Sequence, residues 1–157
     1  MQVRVASNED WHWIEQNAGS VGGPKVVSRG TLYTLSDHEG FVATAKDSLL
    51  GFAVLRQDEL LAIATVHPGQ GVGSTLMDHC EKLARSRGYP SIWLVTTNDN
   101  LDAMRFYQRR GYFLESLTKN AFEDVKRIKG ITGEVLGKFD IPIHLGWGYQ
   151  SSRALRP

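Results

Sequence analysis

Only one cysteine, Cys80, occurs in the 157-residue chain, so no disulfide closes within it and a disulfide-stapled secreted scaffold is excluded. Long apolar runs are missing as well. Stretches such as "LLAIATV" fall far short of the roughly 20 residues that a membrane-crossing helix needs. The N-terminus "MQVRVASNED" has none of the apolar centre of a secretory signal, and the expected compartment is the cytoplasm. Neither sign of charge is in excess: 18 Lys and Arg face 17 Asp and Glu. A global basic field of the kind that draws a protein onto nucleic acid is therefore absent. The histidines at positions 12, 38, 67, 79 and 144 show no paired metal-ligand spacing, so no metal site is expected.

What remains is a chain of the length of one domain, residues 1–157, able to bury roughly 68 to 70% of its unfolded surface without a staple. Residues 2–6 alternate polar and apolar and predict a strand. Ser7 then caps a helix in "SNEDWHWIEQNAG", with Glu9 and Asp10 in the first turn, where they suit the dipole, and Gly19 placed to stop it. Residues 21–39, rich in Gly and Ser, read as a loop with one helical turn. "FVATA" and "LLGFAVLR" flank residues 46–48 as an antiparallel hairpin, and residues 59–66 form an almost wholly apolar central strand. Val72, Leu76, Cys80 and Leu83 recur at helical spacing opposite Asp78, Glu81, Lys82 and Arg85, and Gly88 ends that helix.

A strand at 91–97 follows, and the order strand, helix, strand implies a right-handed crossover between parallel strands. A further helix at 101–110 starts after "TTNDN" and stops at Gly111. Beyond Phe113 a short helix at 121–128, a closing strand at 141–150 and a tail are expected. The closing strand pairs within the chain or with a second copy, which leaves a homodimer open.

The stretch "GQGVGST" lies between the central strand and its helix. Alternating glycines permit left-handed backbone and close approach to a ligand, so a phosphate is the first ligand to consider. The dinucleotide fingerprint G-x-G-x-x-G fails, because its sixth place falls on Ser74 or Leu76. No lysine follows the glycines as a nucleotide-triphosphate loop requires. What remains is a short turn whose amides, at Gly69, Gln70, Gly71, Val72, Gly73 and Ser74, converge at a helix start suited to a pyrophosphate. A purely structural glycine turn fits the spacing equally well.

A second pattern stands thirty residues on: Asn100, Ala103, Phe106, Tyr107, Gly111 and Tyr112 in "NLDAMRFYQRRGYF". Together with the Gly71-Val72-Gly73 turn, it resembles the GNAT acetyltransferase superfamily, and "LVTTNDNLDAMRFYQRRGY" is similar to a bacterial subgroup of it. The resemblance is strongest over residues 59–113. It implies an α/β (α+β) fold, a mixed, centrally parallel β-sheet flanked by helices. It also implies acetyl-CoA as cosubstrate, with its pyrophosphate on the glycine turn, and a small-molecule or peptide amine as acceptor. One departure stands out: the family's usual Arg or Gln before the first motif glycine falls on Pro68, which leaves the holding to backbone amides.

Acetyl transfer to an amine needs the neutral nucleophile, yet an alkylamine of pKa about 10.4 is only roughly one part in a few thousand neutral at pH 7. Glu59, at the entry of the central strand, matches a carboxylate that often removes that proton through water in GNAT-like enzymes. A solvated glutamate beside Asp58 is the plainer reading. Tyr107 matches the family's general acid, able to protonate the departing thiolate because phenol and thiol pKa values lie close together. Its spacing with Ala103 and Phe106 equally suits a core aromatic.

Asn100 caps the helix at 101 and, by resemblance, contacts the pantetheine arm. A backbone amide near Thr65 or Val66 would meet the developing oxyanion. Cys80 belongs to the apolar stripe and reads as core. The acceptor would approach between residues 21–39 and the segment after Phe113, with Trp11, Trp13 and Trp147 either lining that side or buried. The other class of reading is a noncatalytic acyl-CoA-binding or sensing module, which needs the turn but neither Glu59 nor Tyr107.

Overall fold

The fold is described from a computed structural model of the chain, covering residues 1–97, 100–115 and 138–139. It divides into two compact parts, Met1–Val26 with Leu32–Leu83, and Val27–Thr31 with Ala84–Pro157. The expected helix at 121–128, the strand at 141–150 and Trp147 lie outside the described residues.

In the first part, strand β1 (Gln2–Val5) leads into helix α1 (Asn8–Asn17). Ser7 caps α1 as expected: its Oγ accepts from the Asp10 amide at 3.2 Å, and Asp10 Oδ2 accepts from the Ser7 amide at 2.7 Å, a reciprocal capping box. Asp10 does more than suit the helix dipole, since it also pairs with Arg4 on β1. The helix stop differs from the expected Gly19. A 3-10 turn, Ala18–Val21, carries the chain on to Gly22, whose left-handed φ of 97° makes the reversal. Residues 21–39 hold more order than a loop: two short strands, β2 (Lys25–Ser28) and β3 (Thr31–Thr34), and a 3-10 turn at Leu35–Asp37.

Strands β4 (Glu39–Ala45), β5 (Ser48–Arg56) and β6 (Glu59–Thr65) form the meander that the hairpin pattern predicted. The order β1-β4-β5-β6 is antiparallel throughout. Lys46 and Asp47 both adopt left-handed φ, 47° and 63°, which is the conformation a tight two-residue hairpin needs. One sheet face is covered by α1: Ile14 and Ala18 pack with Val42, Phe52, Val54 and Ala62. The opposite face meets helix α2 (Val72–Ser86). There Phe41 packs at a tilt against His79 with ring centroids 4.7 Å apart. Val72, Leu76 and Cys80 are buried as their spacing predicted, and Cys80 is a core residue. Glu81 departs from the pattern, being buried where the helical wheel puts it with the polar residues.

The second part contains β7 (Trp93–Val95), α3 (Leu101–Arg109) and β8 (Lys138–Phe139). Leu94 faces Phe139, and Val95 faces Lys138, in an antiparallel pair. The predicted order strand, helix, strand, helix thus holds through β6, α2, β7 and α3. The mixed sheet with flanking helices is present, but "centrally parallel" is too strong a description: the sheet is mostly antiparallel. Among the described residues no helix is long and apolar enough to cross a membrane.

Candidate active site

The glycine turn is exposed from His67 to Gly71 and runs directly into α2. Gly69 and Gly71 have φ of 83° and 77°, and nothing lies within 4 Å of where a Cβ on either would stand. These two positions use glycine's freedom for their backbone conformation and leave open space in front of it. Gly73, by contrast, lies inside α2. The first helical bond runs from the Thr75 amide to the Gly71 carbonyl at 3.0 Å, and Thr75 Oγ1 donates to the same oxygen at 2.9 Å. The amides of Gly71, Val72 and Gly73 therefore precede the helix's own ladder, at the positive end of a fifteen-residue helix. This is an exposed run of N–H groups, open in front of Gly69 and Gly71, and its chemistry fits a pyrophosphate.

Six residue steps of β6 separate Thr65, before this turn, from Glu59, a distance of about 20 Å at 3.3 Å per residue. The structure removes the plainer description of Glu59 as a solvated residue. It is 1% exposed, among the most deeply buried large side chains, and not a solvated strand-end carboxylate. The 3-10 turn Ala18–Val21 lies against β6 and contributes to covering that strand.

The two oxyanion candidates also separate. The Val66 amide donates to the Leu50 carbonyl at 2.9 Å and is used by the sheet. Thr65 faces Gly51 at the adjacent register position. In an antiparallel pair the hydrogen-bonded and non-hydrogen-bonded positions alternate, so the Thr65 amide points away from β5.

On α3, Asn100 is the helix cap, with Oδ1 accepting from the Ala103 amide at 3.3 Å. Tyr107 is 6% exposed, and its ring lies 5.3 Å from that of Phe106 and 5.9 Å from that of Tyr112. Its backbone carbonyl accepts the amides of Arg110 and Tyr112, which fixes the segment holding the ring. Trp11 and Trp13 are packing residues. Both lie against the α1-side core, and Trp13 meets Phe52 edge-on at 6.3 Å.

Sequence reasoning missed one cluster. The Arg56 guanidinium lies over the Tyr33 ring, 4.9 Å from its centroid, and His38 meets the same ring edge-on at 5.6 Å. Burial is the main cause that lowers the His38 pKa, with the Arg56 charge adding to it and Asp37 opposing. The only signal for this cluster in the sequence was the cationic end of an otherwise apolar strand, "FAVLR".

The model of the acetyltransferase (GNAT) family matches residues 8–112, well over half of the chain. YxbD, an uncharacterised protein of Bacillus subtilis (strain 168), is 32% identical over 113 residues, 69% of this chain and 71% of its own. Streptothricin acetyltransferase of Streptomyces lavendulae is 36% identical over 86 residues, 49% of this chain and 46% of that enzyme, so the match spans less than half of it. A Bacillus anthracis protein assigned as a streptothricin acetyltransferase, crystallised with acetyl coenzyme A, shares the fold with a TM-score of 0.59 at 21% identity. That match covers 69% of this chain and 63% of that one. The chain belongs to the GNAT acetyltransferase family, N-acetyltransferases that take acetyl-CoA as cosubstrate and act on amine acceptors.

Proposed function

We propose that the chain, working as one domain over residues 1–157 in the cytoplasm, transfers the acetyl group of acetyl-CoA to the primary amine of a small molecule or peptide. Transfer is by direct attack in a ternary complex. The observation that carries this reading is the burial of Glu59: a carboxylate sequestered at the head of β6 supports a role in proton transfer, which a binding-only module does not require. Bound acetyl-CoA supplies an activated acetyl group and a thiolate leaving group. Amides at Gly69, Gln70, Gly71, Val72, Gly73 and Ser74 hold its pyrophosphate, and Asn100 positions the pantetheine arm while capping α3.

Glu59 then takes the proton from the attacking amine through water, while the Thr65 amide, about 20 Å further along β6, meets the cosubstrate on its pyrophosphate side and not at the reacting acyl oxygen. Tyr107 gives its proton to the departing sulfur. A cysteine-linked acyl enzyme is not part of the scheme, because Cys80 is buried in the core.

Two measurements test the reading. Calorimetric titration with acetyl-CoA, beside ATP and NAD, is expected to show binding of acetyl-CoA alone. With an accepted amine, Tyr107→Phe is expected to slow turnover by roughly 10² to 10⁴ while leaving acetyl-CoA affinity within a few-fold. A folded protein that binds no acetyl-CoA refutes the enzyme. Binding with undiminished turnover in Tyr107→Phe removes that residue from the mechanism.

A further inference from the structure

Arg56 is the last residue of β5. Among the described residues it makes no salt bridge and no hydrogen bond, and its guanidinium carbon lies over the Tyr33 ring, 4.9 Å from the centroid. A ring face attracts the charge of a guanidinium without supplying conventional acceptors for its five N–H donors. The register fixes the sheet face from which the side chain emerges. Arg56 faces Glu59 across the β5–β6 pair, so the two side chains emerge on the same face of the sheet. Val54, two residues earlier on β5, belongs to the core beneath α1, so that face is the α1 face. His38 meets the Tyr33 ring edge-on, and burial lowers its pKa. At the Glu59 end of the sheet the described residues therefore include a half-buried cation, held against an aromatic ring, with its donors unspent. It stands about 20 Å along β6 from the pyrophosphate turn, too far to serve the same anion.

We propose that Arg56 holds a carboxylate carried by the acceptor, so that the substrate is an amino acid or a compound with the same pairing of amine and carboxylate. This rests on the N-acetyltransferase reading with Glu59 as base. A planar fork of donors matches a carboxylate bidentately, and opposite charges at neighbouring strand ends orient the molecule: carboxylate to Arg56, amine to Glu59. The transfer balances as before. The nitrogen–acetyl bond forms, the carbon–sulfur bond breaks, the amine proton goes to Glu59 through water, and the thiolate takes a proton from Tyr107.

The test uses the full chain, acetyl-CoA and a panel of the common amino acids, each matched with its carboxamide and its decarboxylated amine, with thiol release as the readout. The preferred acid is expected to exceed its amide in kcat/KM by roughly 10- to 100-fold, carried by KM, as befits a charge-assisted pair. Arg56→Gln should collapse that ratio toward one, and Arg56→Lys should recover part of it, because the charge returns without the fork. Calorimetry with acetyl-CoA on each variant reports that the fold is retained.

A wild-type protein that acetylates amides as well as acids overturns the inference. So does an Arg56→Gln protein that keeps the preference, or a panel in which no acid is acetylated while acetyl-CoA binds. Preference for an O-phosphorylated amine over every acid overturns the carboxylate assignment as well. Failure of the wild type to bind acetyl-CoA brings down the acetyltransferase reading itself, and is recognised by that binding measurement alone.

Discussion

Replacing Gly51 with alanine tests how the sheet holds the cofactor turn, although Gly51 lies outside it. Gly51 sits on β5 opposite Thr65. An added Cβ would stand 2.6 Å from the Ala64 carbonyl oxygen, 2.9 Å from Val72 Cγ1 and 3.3 Å from Leu76 Cδ1. The carbonyl belongs to the strand backbone and cannot retreat alone. Val72 is β-branched and strongly prefers one rotamer in a helix, so it relieves the contact only if the start of α2 moves with it.

Overpacking of this kind costs about 1 to 3 kcal/mol. For a chain of this length each kcal/mol lowers Tm by about 2 to 4 °C, giving an expected fall of roughly 2 to 12 °C. The displacement acts on the first residue of α2, where the amides for the pyrophosphate are presented, and a shift of about 0.5 Å is enough to loosen a preorganised site. Acetyl-CoA affinity should therefore drop on the order of 10-fold, the worth of about one hydrogen bond. Gly71→Ala is the companion variant: its Cβ meets nothing within 4 Å, so only the strain of φ 77° acts, about 1 to 2 kcal/mol. Thermal melts and calorimetry on both proteins decide the matter. A Gly51→Ala protein with wild-type Tm and wild-type acetyl-CoA affinity would show that α2 is not seated on β5 in this way.

Two further outcomes follow from groups outside the site. The Arg4 hydrogen bond, opposed by burial and helped by Ser7, pulls the Asp10 pKa down to about 2 from 3.8. Its stabilisation is thus fully present above pH 4 and is lost as pH falls toward 2. Because Arg4 is half exposed and screened, the contribution is on the order of 1 to 2 kcal/mol, and Asp10→Asn should flatten urea-measured stability between pH 4 and 2. Asn100→Ala removes the α3 cap and should cost about 0.5 to 2 kcal/mol in denaturant unfolding. If Asn100 also contacts the pantetheine arm, acetyl-CoA affinity falls with it, whereas an unchanged affinity confines the residue to capping.

The elements that could be read from the sequence are those whose pattern is local: the apolar stripe of α2, the β4–β5 hairpin, and the Ser7 and Asn100 caps. Each is set by neighbours within a few residues. Residues 21–39 escaped because β2 and β3 have only four residues each, too short to show a period, and because their turn, Arg29-Gly30 at φ 51° and 79°, opens on an arginine at its first left-handed position. The Gly19 stop failed for a related reason, since a 3-10 turn postponed the reversal to Gly22.

The site residues show where local pattern gives way to tertiary context. A glutamate at a strand entry reads as solvated until something covers it, and what covers β6 includes a turn some forty residues earlier in the chain. Arg56 reads as a strand-end cation until Tyr33, from a segment with no legible periodicity, is found beneath it. Glu59 and Arg56 face one another across β5 and β6. A fold optimised only for stability has no reason to bring a buried carboxylate and an unspent guanidinium to the same strand ends, because each costs desolvation that an apolar pair would avoid. Both break the local rule on the same sheet face, and it is at such breaks that a functional site is expected.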